Sequence, residues 1–258
     1  MYLRLKNITL DFDPLGKQQP ILASINIEVP QGGFVSIVGS SGSGKSSILN
    51  LVAGLLEPTG GEIVINGKPN WKARENRKIG FIFQQPVLFG WRNVLENIQL
   101  PGEILRKQEI QDKAHEFIRL VGLEGYEKFY PHELSGGMQS RVSIARALSH
   151  HPDLLLMDEP FADLDELTRE RMNIELLRIW KKTGTTIVFV THSINEAAFL
   201  SDTVHVLGDK PAKVVESIKI PLSRPRSISM LDDLNYTSLV NHIRRTLRAH
   251  TVSSFNGN

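Results

Sequence analysis

Apolar and polar positions follow two rhythms along this chain. Tyr2, Leu3, Leu5, Ile8 and Leu10 stand among polar neighbours, and residues 25–29 alternate again, so each stretch reads as one strand of an antiparallel pair with a Pro-Gly-containing loop between them. Residues 62–65 read as a strand running into a tight turn at Asn66-Gly67, and 204–207 with 214–218 read as a last pair of strands around Gly208-Asp-Lys-Pro211. The short runs 34–38, 79–83, 154–157 and 185–190 are almost continuously apolar, as strands buried on both faces are. The rhythm is helical elsewhere. Ile48, Leu49, Val52, Leu55 and Leu56 predict one buried helix face, and Met172, Leu176 and Ile179 predict another helix that stops at Gly184. From about 86 to 149 the reading is helical throughout, with Ile110, Ala114, Phe117, Ile118 and Val121 in register and Gly122 as the stop. The expected fold is therefore α/β, with a mainly parallel core, an antiparallel edge sheet and a helical insertion near 87–150. Residues 1–226 are expected to form one domain and 227–258 a short helical tail, frayed from 251.

Composition removes several functions without naming one. The chain has 258 residues, with 30 Lys and Arg against 28 Asp and Glu, a net charge of +2. That balance argues against a nucleic-acid protein working by broad charge attraction. With no cysteine, disulfides and thiolate metal sites are excluded. No apolar run approaches the roughly 18 residues of a membrane span, and the first seven residues lack the apolar core of a signal peptide. The expectation is a chain that is soluble by itself.

The candidate chemistry starts at Gly39-Ser40-Ser41-Gly42-Ser43-Gly44-Lys45-Ser46, which has the form G-x-x-x-x-G-K-S between an apolar run and a helix. Glycines let the backbone curl so that successive N–H groups point inward, and the helix N-terminus adds partial positive charge at the same place. The fitting ligand is a polyphosphate. Lys45 can reach the β- and γ-phosphates, Ser46 can ligate Mg²⁺ and Ser47 can touch the α-phosphate. The plain alternative, a glycine-rich turn, is a chance match on the order of one in a hundred for a chain of this length.

In an open parallel sheet, ligands bind beyond the carboxyl ends of the strands. Gly39, Gln84, Asp158, Glu159 and His192 each lie at or just past the end of an apolar run. Asp158 is a candidate Mg²⁺ ligand, Glu159 a candidate base for the attacking water, and His192 a candidate hydrogen-bond partner of the γ-phosphate. Gln84 can join the Mg²⁺ shell or orient the water. Phe12, beside Asp11 and Asp13, is either core or a platform on which a base stacks.

Leu134-Ser-Gly-Gly-Met138, taken together with the glycine loop, Gln84, Asp158-Glu159, Asp165 and His192, resembles the ATP-binding subunits of ABC transporters over about residues 2–218. The resemblance implies a P-loop NTPase fold, ATP with Mg²⁺ as cofactors, and ATP hydrolysis. It also implies an ATP-dependent homodimer. Ser135 caps a second helix whose first turn is glycine, and in the family Ser135, Gly136 and Gly137 of one copy close over the nucleotide held by Lys45 of the other. Asp165 then lies in the loop at the dimer seam, and Phe12 stacks on adenine. Gly90-Trp-Arg-Asn-Val-Leu-Glu-Asn-Ile98 and Pro221-Leu-Ser-Arg-Pro-Arg226 are similar to segments of importer ATPases for nitrate, sulfonates, taurine and pyrimidine precursors. Such importers grip a permease helix in the groove beside Gln84 and Trp91. The plain readings of these two segments are a helix start with a buried Trp and a proline-stiffened loop.

The implied partners are a membrane permease and, through it, an extracytoplasmic solute-binding protein, with the chain peripheral on the cytoplasmic face. Nucleic acid is not an expected partner. An exporter subunit and a soluble ABC ATPase are the alternatives. Two departures from the family pattern stand out: Ser140 where Gln usually precedes Arg141, and Asp163 where a small residue is usual.

Overall fold

A computed structural model describes residues 1–12 and 19–250. The Pro-Gly loop and the frayed end expected from the sequence lie largely or wholly outside those residues. The chain divides into two compact units, one of residues 1–76 with 186 onward, the other Arg77–Thr185.

The first unit starts with β1 (Leu3–Leu10), β2 (Leu22–Val29), β3 (Phe34–Val38), α1 (Lys45–Val52), β4 (Gly60–Ile65), β5 (Lys68–Pro69) and α2 (Asn70–Glu75). The second unit holds β6 (Ile79–Ile82), α3 (Val94–Leu105), α4 (Gln108–Asp112), α5 (Ala114–Leu120), α6 (Gly136–Leu148), β7 (Leu154–Asp158) and α7 (Glu166–Thr183). The chain then returns to the first unit with β8 (Thr186–Thr191), α8 (Ile194–Leu200), β9 (Thr203–Leu207), β10 (Val214–Lys219) and α9 (Leu234–His250).

Alternation produces the antiparallel sheet, in the order β2-β1-β4-β5. Along β1, Leu3, Leu5, Ile8 and Leu10 are buried while Arg4, Lys6 and Asn7 face solvent, the period of a sheet with one wet face. The continuous apolar runs go to parallel pairing. All five residues of β3 are buried, and β3 pairs in parallel with β8 on one side and β9 on the other. In the second unit β6 and β7 pair in parallel.

The expected boundaries shift in four places. The helix after the glycine loop ends at Val52, because Gly54 turns the chain at φ +67°, so Leu55 is 58% exposed and not on its buried face. The single helix expected at 110–121 is two, α4 and α5, separated at Lys113. The short helices α2 and α8 carry too little apolar periodicity to be expected from the sequence. The tail is more than an appendage: Tyr236, Val240, Ile243 and Thr246 of α9 are buried. Among the described residues, no helix is long and apolar enough to cross a membrane.

Candidate nucleotide site

The glycine loop leaves the carboxyl end of β3. A Cβ placed on Gly39 would lie 2.6 Å from Ser43 Oγ and 3.1 Å from Leu207 Cβ, so no side chain fits there. Gly42 and Gly44 sit at φ +74° and +94°, the left-handed region open to glycine, and a Cβ on Gly44 would also meet Leu22 Cδ2 at 2.7 Å. Gly44 is the N-cap of α1, which supplies no side-chain acceptor. The first N–H groups of an α-helix have no carbonyl one turn earlier, so this end is a donor surface with partial positive charge. Lys45 is buried, and its Nζ donates to the carbonyls of Gly39 (3.1 Å) and Ser40 (2.9 Å), folding the cation over the loop. Ser41 and Ser46 are exposed and Ser47 half-buried, while Ser43 is buried. Curled glycines, an open helix end and a lysine laid along the loop fit a polyphosphate.

The end of β8 supplies His192. Val38 and Thr191 are register partners on adjacent parallel strands, so Gly39 and His192 leave the sheet side by side. Thr191 Oγ1 donates to Glu196 Oε2 (2.5 Å) and accepts from Ser193 N (2.9 Å), and Ser193 Oγ caps α8 by accepting from Glu196 N (3.3 Å). The residues flanking His192 are thereby fixed while its own side chain is exposed. Phe12, two residues past the end of β1, is 63% exposed, which disposes of the core alternative for that ring.

In the second unit, Ile82 and Met157 are register partners, so Gln84 and Glu159 lie two residues beyond the same rung of β6 and β7. Residues 154–157 are fully buried, and Asp158 and Glu159 emerge half-buried. Glu159 has φ +45°, a left-handed conformation that a non-glycine residue adopts at a cost of about 1–3 kcal/mol. Strain of this kind persists only where the surroundings impose it. Further along the second unit, Ser135 Oγ accepts from Met138 N (3.3 Å), capping α6. Ser135 and Gly136 are exposed, and a Cβ on the buried Gly137 would press on Thr168 Cγ2 at 3.2 Å. Asp165 caps α7 by accepting from Thr168 N (3.0 Å), and hydrogen bonds from the Thr168 side chain and backbone hold its carboxyl below the usual range.

Trp91 is 74% exposed. The buried Asn97 holds the loop that presents it: Oδ1 accepts from Phe89 N (3.0 Å), and Nδ2 donates to the carbonyls of Arg92 (2.8 Å) and Asn93 (3.0 Å). A capping box between Asn93 and Glu96 starts α3, and Asn-x-x-Glu is a sequence signal that could have placed this helix start. The Pro221–Arg226 segment has a structural task. Arg226, almost wholly buried, donates to the carbonyls of Phe199 (2.5 Å) and Ser201 (2.7 Å) at the C-terminal end of α8, where cations are favoured. Arg224 pairs with Asp202 (2.7 Å), whose other oxygen accepts from Phe34 N at the start of β3 (2.9 Å). Asp209, also unforeseen, accepts from Ser40 Oγ at 2.8 Å.

Among the described residues, no group of three or more His, Asp or Glu is arranged to hold a metal. Magnesium that travels with a nucleotide takes only one or two protein oxygens, the rest coming from phosphate and water. Taken singly, Ser46 Oγ of the first unit and the Asp158 carboxylate of the second are each oxygen donors of the type such an ion accepts.

Comparison with known proteins gives one answer. The sequence profile of the ABC transporter family matches residues 22–162. The chain is 43% identical over 243 residues to an uncharacterized ABC transporter ATP-binding protein of Methanocaldococcus jannaschii, covering 93% of this chain and 90% of that protein. It is 44% identical to the aliphatic sulfonates import ATP-binding protein of Bacillus anthracis (80% and 81% covered). With the taurine import ATP-binding protein of Rhizobium johnstonii the identity is 42% (81% and 80% covered). A solved dimeric ATP-binding cassette in a post-hydrolysis state, bound to ADP and Pi, superposes with a TM-score of 0.72 at 35% identity, covering 86% of this chain and all of that one. The glycine loop, the strand-end carboxylates and these matches lead to one conclusion: the chain belongs to the ABC transporter family, as an ATP-binding cassette that hydrolyses ATP.

Proposed function

We propose that this cassette powers a membrane importer for a small solute of the nitrate, sulfonate and taurine class. The observation that carries the import reading is the exposed Trp91 on a loop clamped by Asn97, in a segment that resembles those importer ATPases. Phe83 and Val87 of the same unit are also exposed. An isolated cassette gains nothing by holding a Trp in water, whereas an apolar anchor at an interface commonly dominates its affinity. Relatives named for sulfonate and taurine import support the solute class.

In this reading Lys45 and the N–H groups opening α1 bind the β- and γ-phosphates, and Phe12 stacks on the adenine. Ser46 and Asp158 would hold Mg²⁺, with Gln84 beside its shell, and the ion would offset charge on the phosphate oxygens. Glu159 accepts the proton of the attacking water, and His192 donates a hydrogen bond to the γ-phosphate. Ser135, Gly136 and Gly137 of a second copy close on that phosphate, with Asp165 at the seam, so the working form is a homodimer that ATP assembles. The partners are the permease and, through it, an extracytoplasmic solute receptor, with the cassette on the cytoplasmic face of the membrane.

The test is reconstitution. Coexpressed with a candidate permease and receptor of a sulfonate or taurine importer, the chain should copurify with the permease, and its ATP turnover should rise when loaded receptor is added. Failure to capture the permease, with hydrolysis by the chain itself intact, overturns the import role and leaves the ATPase standing.

A further inference from the structure

The motif G-x-x-x-x-G-K-S leaves position 40 open, yet this chain holds Ser40 at both of its polar ends. Its carbonyl accepts from Lys45 Nζ at 2.9 Å, and its hydroxyl donates to Asp209 Oδ1 at 2.8 Å. Asp209 lies in the connection between β9 and β10. That connection is itself fastened: Gly208 N donates to Lys213 O (3.0 Å), Ala212 N to Ile21 O (2.9 Å), and Ala23 N to Ala212 O (2.9 Å). Ile21 and Leu22 in turn pack where a Cβ on Gly44 would be, so the same short stretch touches the far end of the loop. Asp209 N donates to the carbonyl of His250, the last residue of α9, at 3.3 Å.

The C-terminal helix is anchored by side-chain bonds as well as by its apolar face. Tyr236 Oη donates to Asn195 O (3.1 Å). Near the other end, Glu216 of β10 takes two contacts, from Thr246 Oγ1 (2.6 Å) and His242 Nε2 (2.9 Å). A continuous path of hydrogen bonds therefore runs from α9 through Asp209 and Ser40 to Lys45, all within the first unit.

A carboxylate beside a loop that takes polyphosphate opposes the ligand by Coulomb repulsion. Its presence needs a geometric reason. A neutral acceptor would serve the hydroxyl with less repulsion, while an ionised one holds it more strongly. We propose that Asp209 is a positioning residue for the phosphate loop, fixing Ser40 and through it the resting place of Lys45, and that it couples this loop to α9. The proposal rests on the assignment of Lys45 to phosphate binding.

The experiment measures KM and kcat for ATP, with melting temperature, in the full chain. Asp209→Ala should raise KM about five- to tenfold, the effect of one lost hydrogen bond, with kcat changed less than twofold. Asp209→Asn keeps an oxygen acceptor but holds the hydroxyl less strongly without the charge, so its KM should lie between those of wild type and Asp209→Ala. Ser40→Ala should match Asp209→Ala, and the double variant should be no worse than either, as for two residues acting through one contact. Glu216→Gln, distant in sequence from the loop, should raise KM in the wild-type background and leave it unchanged in the Asp209→Ala background.

A lower melting temperature with unchanged KM in Asp209→Ala, or additive effects of Ser40→Ala and Asp209→Ala, overturns the positioning role. Unchanged KM in Glu216→Gln overturns the coupling to α9. Lys45→Ala is the control for the underlying assignment. It should lose ATP binding altogether, and if it does not, the phosphate-loop reading fails independently of Asp209.

Discussion

Ser140 Oγ donates to the carbonyl oxygen of Pro160 at 3.3 Å, so the helix that opens at Ser135-Gly-Gly is tied to the residue that follows Glu159. Ser140 is one of the two departures from the family pattern, and it is buried. A Gln there would have to bury a longer side chain in the same place. Ser140→Ala should leave the Pro160 carbonyl without this donor and cost about 1 kcal/mol in urea unfolding, with a several-fold loss of turnover. Ser140→Gln, which restores the residue usual in the family, should cost about 1–3 kcal/mol through overpacking. A stable Ser140→Gln protein would show that the pocket is roomier than its burial implies.

Glu159 combines a candidate chemical role with a strained backbone, and two substitutions separate them. Glu159→Gln keeps the shape and removes the proton acceptor. ATP binding should persist while turnover falls about 10²- to 10⁴-fold. Glu159→Gly also lacks the acceptor but accepts φ +45° without penalty, so its melting temperature should match or exceed that of wild type. Calorimetry beside a phosphate-release assay reads both. Near-normal hydrolysis by either variant removes Glu159 from the chemistry, and a drop of several degrees in Glu159→Gly removes the strain argument.

How legible the molecule is in its sequence depends on how local each determinant is. The glycine loop is contiguous, and its flanks carry the strand and helix it needs, so Gly39 to Ser46 could be placed without coordinates. The almost continuously apolar runs at 34–38 and 154–157 likewise admit little besides buried strands. Leu55 misled because it keeps helical spacing, and only the turn at Gly54 removes it from the helix. The helices α2 and α8 have six and seven residues, too few for a period of 3.6 to repeat convincingly. Asp209 was invisible for another reason: its partner Ser40 is 169 residues away, and no spacing rule reaches that far. Arg226 caps a helix that ends at Leu200, a pairing that depends on the whole arrangement of α8 and β9.

Trp91 separates a partner-binding role from a packing role in one variant. At 74% exposure it contributes little to the fold, so Trp91→Ala should shift unfolding free energy by no more than about 0.5 kcal/mol. As an interface anchor it should weaken capture of the permease by about 2 kcal/mol or more. ATP binding by the isolated chain should be unchanged. A pull-down that Trp91→Ala does not weaken would remove the main support for the proposed permease contact.

His205 sets a pH dependence whose sign can be worked out. It lies on β9, 4% exposed, with Nδ1 2.7 Å from Ser217 Oγ on the neighbouring strand. Among the described residues, its Nε2 is buried with no hydrogen-bond partner. Burial penalises the imidazolium and pushes the pKa down to about 4, against an ordinary value near 6.5. Between these two values the unfolded chain binds a proton that the folded chain refuses, so stability rises with pH across that window. The contribution is fully present above about pH 6.5 and is lost as the pH falls toward 4, amounting to about 3 kcal/mol over the whole window. His205→Gln keeps a polar side chain of similar reach and cannot titrate. Urea unfolding of both proteins at pH 7.5 and 4.5 cancels the carboxylates they share. The loss of stability between those pH values should be smaller in His205→Gln by about 2–3 kcal/mol. Equal losses in the two proteins would mean that His205 takes up its proton in the folded state, contrary to its dry position between β3 and β10.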